Sequence, residues 1–577
     1  MLCHVEQLRY GLLVLLDQKN KKAVAYLRII FIVIFCLGLR PSGTAQSKRP
    51  NIVLILADDL GYSDVGCYGG EIATPHIDRL AANGVRYASF YNTSRCCPTR
   101  AALLTGMYNH NAGIGEMTTN RGLPGYRGAL SENTVTLAEV LKKAGYHTAM
   151  AGKWHVSNTL EQPTAEAQLR WLNHQEDHPF FSPVEQYPVN RGFEHYFGNI
   201  WGVVDYFDPF SLVSGTTPIK TVPDHYYHTD AINDTAVQYI HTLSKQKAPF
   251  FLYVAHTAPH WPLQALPEDI RKYAHTYTAG WDAIRQARYR KMAALGLIDT
   301  NIVKLSPREA GAASWELNRH KDWDARAMAV HAAMVDRMDQ GIGRIIAALK
   351  QEGKLDNTLI IFLSDNGASP ENAMAYGPGF DRPGATRMGD PIRYPVNKGA
   401  MPGPQTTFAS IGAAWANVAN TPYRFAKASS FEGGVHTPMI ACWPKGIKGK
   451  GRVSRTTGHV IDFMATFLEL AKADYPETYN GRTIRPMQGM SLVPSFKHSG
   501  ARSSRLLFNE HFGARYVRDG NWKLVAAPGK PWQLFDLQQD ASELHDLSAR
   551  YPEQVKRLGA LWEEWAHQNN VFPKKKQ

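Results

Sequence analysis

Three stretches of this chain are unbroken apolar runs rich in β-branched residues: Asn51–Ala57 (NIVLILA), Phe250–Ala255 (FFLYVA) and Thr358–Leu363 (TLIIFL). A strand wetted on one face alternates apolar and polar residues, whereas one with no polar face must be covered on both sides. Between the runs lie segments of helical period, Thr136–Ala144 and Ala327–Leu349, the second apolar at Met334, Met338, Ile342 and Ile345. Strands alternating with helices predict an α/β fold, a large and mostly parallel central sheet sandwiched by helices. Ligands of such sheets gather beyond the carboxyl ends of the strands. Asp58-Asp59 follows the first run and Ser364-Asp365-Asn366-Gly367 the third, so both acidic groups are expected in one crevice.

The flanks read differently. Lys19, Lys21, Lys22 and Arg28 precede the apolar run Ile29–Leu39, with small residues after it, which is the pattern of a secretory signal cut near Ala45. The run is shorter than the roughly 20 residues a membrane-spanning helix needs, so no stable membrane insertion is expected after cleavage, and the protein is expected to be periplasmic or secreted. Segment 46–499 is expected to hold the main α/β body. From residue 500 the pattern changes to short strands at Arg505–Phe508, Arg515–Val517, Trp522–Val525 and Gln533–Phe535, a hairpin turn at Asp519-Gly520 and a helix over Pro552–Gln568. Segment 500–577 is therefore read as a small antiparallel sheet plus helix. Glu268–Arg319 reads as charged helices on the surface, and 370–420 as a long Gly/Pro-rich loop of the kind that lines a site.

The chain has 577 residues, 44% apolar and 20% charged, which excludes disorder and disulfide-stapled miniatures. Its formal charge is +13. Residues 1–45 carry six basic and two acidic residues, so the mature charge is +9. Apart from Lys574–Lys576 the surplus is scattered; it favours anions in general and gives no nucleic-acid footprint. Cys67, Cys96, Cys97 and Cys442 remain after cleavage, and the adjacent Cys96 and Cys97 fit no zinc spacing.

The segment Cys96-Cys97-Pro98-Thr99-Arg100-Ala101-Ala102-Leu103-Leu104-Thr105-Gly106 resembles the type I sulfatase signature, C-x-P-[ST/A]-R-x-x-L-x-T-G. Thr99 stands where Ser or Ala is commoner. Pro98 suits the first turn of a helix, which places Cys96 at a helix N-terminus, where the dipole favours negative charge. Asn51–Tyr62, Thr74–Leu80, Gly152-Lys153-Trp154-His155, Arg191–Gly198, Ala258-Pro259-His260-Trp261-Pro262, Gly280–Arg285 and Glu432-Gly433-Gly434 are likewise similar to bacterial arylsulfatases of the alkaline phosphatase superfamily, over about Arg49 to Pro573.

The resemblance implies that Cys96 is oxidised to 3-oxoalanine (formylglycine) by a formylglycine-generating enzyme during export, leaving Cys67, Cys97 and Cys442 as free thiols. It implies one Ca²⁺ held by Asp58, Asp59, Asp365, Asn366 and the modified residue 96, an oxygen set that suits hard cations. Without the resemblance an Asp-Asp pair after a strand is more often a cap or a turn. It further implies that Arg100 and Ca²⁺ help deprotonate one hydroxyl of the hydrated aldehyde for attack on sulfur. Lys153, His260 and Lys427 bind the substrate; His260, with Lys427, protonates the leaving oxygen, and His155 takes the second hydroxyl proton so that sulfate is expelled. His256 is read as packing. His436 stands where many relatives have Arg and is read as altering substrate contacts, while His511 and Arg515 are candidates to reach substrate. The activity implied is hydrolysis of a sulfate monoester, by an arylsulfatase or by an exported carbohydrate sulfatase whose loop residues Tyr376, Tyr394 and Trp415 shape a sugar pocket. An inactive sulfoglycan-binding homologue is the reading from another class.

Overall fold

The computed structural model describes residues 49–309, 312–497 and 505–571; the expected signal segment and the expected boundary at 499/500 lie outside them. Ten strands form the main sheet: β1 (Asn51–Ala57), β2 (Val85–Tyr87), β3 (His147–Gly152), β4 (His195–Asn199), β5 (Leu212–Ser214), β6 (Thr217–Pro218), β7 (Phe250–Ala255), β8 (Thr358–Ser364), β9 (Met439–Cys442) and β10 (Arg452–Ser454), in the order β10-β2-β9-β8-β1-β7-β3-β4-β5-β6. The centre, β8-β1-β7-β3-β4, is parallel, while β9 and β5 pair antiparallel with their neighbours.

Every residue of β1 is buried. Val53, Ile55 and Ala57 enter one hydrophobic cluster and Ile52, Leu54 and Leu56 another, so the two faces of one strand build two cores. Helices cover both faces. On the first lie α3 (His228–Leu243) and α6 (Lys321–Gln351); on the second lie α1 (Cys96–Thr105) and α2 (Leu137–Lys143). Thr136 and Glu139 close a capping box at the start of α2, satisfying two orphan amides and fixing where the helix begins. Helix α6 starts six residues before the periodic segment read from sequence, because Trp323 and Ala325 are buried as well.

Beyond the main sheet, β11 (Leu506–His511), β12 (Ala514–Asp519), β13 (Trp522–Ala526) and β14 (Gln533–Asp536) form the expected antiparallel sheet, with α7 (Pro552–Gln568) after it. The turn between β12 and β13 uses Gly520 at φ 58°, a left-handed conformation glycine adopts without a Cβ penalty.

Two readings need correction. Among the described residues of 268–319 only α4 (Pro267–Lys272) and α5 (Gly280–Ala294) are helices of more than one turn, and Arg285 and Arg288 of α5 are buried in hydrogen bonds, not displayed on a charged surface. In the long loop Trp415 is fully buried against Tyr277, Trp281 and Trp315, so it belongs to the core and shapes no sugar pocket.

Candidate active site

Parallel pairing brings the acidic residues together. Ala57 is in register with Ser364, so Asp58 and Asp365 leave adjacent strands side by side, and the Asp365 amide donates to the Ala57 carbonyl at 3.1 Å. Lys153 and His155 follow β3, and His260 follows β7, two further strands whose carboxyl ends point the same way. Asp59 and His155 sit at φ 64° and 55°, strained for side-chain-bearing residues, as is common where a site dictates side-chain direction.

Helix α1 begins at Cys96 after an extended Arg95, so the residue-96 side chain stands at the positive end of the helix. It is 2% exposed. A hydrogen bond with Cys97, and then the charge of Lys153 and a hydrogen bond with His155, hold the Cys96 thiol well below the usual range against the opposing effect of burial. Burial keeps the His155 imidazole below its usual value, hence neutral near pH 7.

Around residue 96 charge is paired in alternation. Arg100 donates from Nε and Nη2 to Asp365 Oδ2 at 3.2 and 3.0 Å, and from Nη1 to the Lys153 carbonyl at 2.9 Å. Lys153 Nζ is paired with Asp58 Oδ2. Lys427 Nζ donates to Asp59 Oδ2 at 2.9 Å and lies 3.2 Å from His260 Nε2. Asn366 Nδ2 donates to Asp59 Oδ1 at 2.6 Å. Burial, then the charge of Asp58, raises the Asp365 carboxyl well above the carboxylate range.

Asp58 Oδ1 and Asn366 Oδ1 are buried without a hydrogen-bond partner among the described residues. Unpaired buried oxygens cost about 1–3 kcal/mol each, and here both lie in the same cluster of carboxylates. A hard cation would satisfy both oxygens, so the residues present fit an ion of the calcium type. Asp58, Asp59 and His260 also offer three ligand atoms within 4.8 Å of one another.

All ten expected site residues are thus drawn into one buried neighbourhood. Four others are not. His256 is fully buried, neutral with its pKa down to about 3 through burial, and acts as packing. His436 is held by Glu432 and the Ala88 carbonyl and stacks with the rings of Tyr91 and Tyr423. His511 is fully buried, and Arg515 stacks on Trp532 and Trp562.

Sequence reading missed Glu371 and Arg95. Glu371 takes Arg95 at 3.1 Å, Lys427 at 3.3 Å and the Trp261 indole N–H at 3.1 Å, which ties the long loop to the site. Burial opposes its ionisation, but Lys427 and Arg95 hold its carboxyl far below the usual range. Lone charges in an aperiodic loop carry no signal in the sequence beyond their proximity to Asn366 and Cys96. Beside His260, the buried Trp261 ring lies 6.2 Å from the half-exposed Tyr376 ring, so an aromatic pair flanks His260.

Comparison with known proteins gives the same region a lineage. Residues 50–473 match the family model described as Sulfatase, and residues 423–566 match that of the N-sulphoglucosamine sulphohydrolase C-terminal region. An uncharacterized sulfatase of Schizosaccharomyces pombe is 35% identical over 553 residues, covering 90% of this chain and 93% of that one. An arylsulfatase of Klebsiella aerogenes is 34% identical, covering 78% and 92%. Among solved structures, Ps i-CgsB in complex with k-i-k-neocarrahexaose superposes with a TM-score of 0.62 at 25% identity, covering 91% and 94%.

Proposed function

The chain belongs to the sulfatase family, a sulfuric ester hydrolase of the alkaline phosphatase superfamily, and from that premise we propose that it cleaves a sulfate monoester, as an arylsulfatase, with Cys96 converted to 3-oxoalanine and one Ca²⁺ held by Asp58, Asp59, Asp365, Asn366 and residue 96. The observation that carries the reading is the pair of orphaned oxygens, Asp58 Oδ1 and Asn366 Oδ1, in the same buried cluster as Cys96, Arg100 and Lys153.

Converted residue 96 would supply, in its hydrated form, one hydroxyl to bond sulfur and a second to expel it; the bound cation would supply fixed positive charge beside both. Lys153 and Lys427 hold sulfate oxygens, positive groups kept in place by Asp58 and Asp59. Arg100 fixes Asp365 and puts a guanidinium beside residue 96. His260, with Nδ1 toward the Trp261 carbonyl at 2.6 Å and Nε2 toward Lys427, delivers a proton to the leaving oxygen. Neutral His155 accepts a proton from the side chain of residue 96. Conversion by a formylglycine-generating enzyme, and export by the amino-terminal segment, belong to the same reading. No helix among the described residues is long and apolar enough to cross a membrane.

A carbohydrate sulfatase is the second reading. The Trp261–Tyr376 pair beside His260 favours it, since an aromatic face stacks on a sugar as readily as on an aryl ring, and Ps i-CgsB, the superposable structure, holds an oligosaccharide. Two measurements test the reading. The peptide containing Cys96 is expected to be lighter than its cysteine form by about 18 Da, and sulfate release is expected from an aryl sulfate or a sulfated sugar, the faster substrate deciding between the two. A converted, calcium-loaded chain that releases sulfate from neither class overturns the proposal.

A further inference from the structure

We propose that the chain whose Cys96 is still a thiol holds one soft divalent cation of the zinc type through Cys96 Sγ, Cys97 Sγ and an imidazole nitrogen of His155. Their ligand atoms lie within 4.8 Å of one another and all three residues are buried. Tetrahedral zinc, with Zn–S near 2.3 Å and Zn–N near 2.1 Å, needs donors about 3.6–3.8 Å apart, a distance reached by small side-chain rotations from this starting point.

Three further observations point the same way. His155 is aimed by a left-handed backbone, φ 55°, and its buried Nδ1 has no hydrogen-bond partner among the described residues. Cys97, fully buried, makes weak sulfur contacts at 3.6 Å to the Glu116 carbonyl and Met117 Sδ and a hydrogen bond to Cys96 itself, so its thiol already faces the second sulfur of the proposed site. The donor chemistry also differs from the neighbouring acid cluster: two sulfurs and a nitrogen select zinc, whereas the Asp/Asn oxygens select calcium. One pocket thus has a hard half and a soft half.

Binding forms two Zn–S bonds and one Zn–N bond and sends the two thiol protons to solvent; water takes the fourth position. Position 97, which the signature leaves free, thereby acquires a role. Oxidation of Cys96 to the aldehyde removes one sulfur, so the converted chain keeps too few soft donors. Zinc retention would mark unconverted molecules. The proposal shares Cys96 with the functional reading above, but zinc is measured on unconverted chain and sulfate release on converted chain, so either can fail alone.

The test uses full-length chain produced without the maturing enzyme, its Cys96 thiol verified by mass, and equilibrated with Zn²⁺ in excess Ca²⁺. One zinc per chain is expected by elemental analysis, and Co²⁺ in its place should show thiolate-to-cobalt charge-transfer absorption. Cys97→Ser is expected to weaken zinc binding at least about tenfold and to diminish that band. Converted chain, in which Cys97 is untouched, should show the same loss and covers the case in which the variant misfolds. Equal zinc affinity in unconverted, converted and Cys97→Ser chains, or a cobalt complex without the thiolate band, overturns the proposal.

Discussion

Two buried carboxylates lie six positions apart on the segment that follows β1. Asp58 and Asp64 are both fully buried, yet their surroundings are opposite in kind. Asp64 is saturated: Oδ1 accepts from Arg288 at 2.7 Å, and Oδ2 takes the Gly61 amide at 2.9 Å and His331 Nε2 at 3.1 Å. Arg288 is in turn clasped by Glu71, which also accepts from the Tyr277 hydroxyl. Around Asp58 two oxygens are orphaned and three acids crowd one another. Burial alone therefore does not mark a functional carboxylate. What distinguishes the two is pairing: the closed network holds the loop, and the open one is built for groups that arrive from outside.

That contrast can be broken by experiment. The largest expected effect is at the open cluster, where Cys96→Ala should cost roughly 10⁴-fold or more in turnover of a sulfate ester while thermal unfolding stays near that of the unsubstituted chain. Residual turnover within about tenfold would remove residue 96 from the chemistry. At the closed cluster, Arg288→Met leaves Asp64 and Glu71 buried without their cation and should destabilise the fold by about 3–5 kcal/mol in denaturant titration. Turnover per folded molecule should be retained; a selective loss of turnover with stability intact would erase the distinction between the two clusters.

Ligand-linked stability gives the third contrast. Calcium at about 100 times its dissociation constant should stabilise the unsubstituted chain by about 2.7 kcal/mol in thermal unfolding. Asn366→Ala should lose most of that gain, and Arg288→Met should keep it. A gain retained in Asn366→Ala would take Asn366 out of the cation site. The smallest effect is the pH dependence of Asp64. Burial would raise its pKa, but His331 and Arg288 bring it down to about 2. A carboxyl depressed on folding contributes its stability above the unfolded value, near 3.8, and loses it as pH falls towards 2. The contribution is about 2 kcal/mol. Asp64→Asn should flatten that acid limb in equilibrium unfolding; an unchanged limb would assign it to other carboxylates.

Much of the fold was legible because β1, β7 and β8 are buried on both faces and so cannot hide in an alternating pattern. The strands beyond the centre were harder to read. Segments of three to five residues such as Val85–Tyr87 and His195–Asn199 take their structure from partners far away in sequence. In the site, Cys96, Lys153, His155 and His260 were readable through motifs, and the acids through their position after strands. Glu371 and Arg95 were not, since an isolated charge gains meaning only from what folding sets opposite it. Trp415 misled for a related reason: a Gly/Pro-rich neighbourhood suggests exposure, but the indole N–H donates to the Asp324 carbonyl inside the core.

The register of β1 against β8 joins residues 307 positions apart, Asn51 with Thr358 through Ala57 with Ser364, and just beyond it the Asp59 amide donates to Asp365 Oδ1. No contiguous fragment of the chain short of that span can hold the acid cluster, and a β1–β8 pairing shifted by one residue would set Asp58 opposite the wrong side chain. Binding of the proposed cation would thus serve as a gauge of completed sheet assembly. In refolding, recovery of cation binding should trail recovery of helical signal, because the helices close over short loops and the site waits for the longest one.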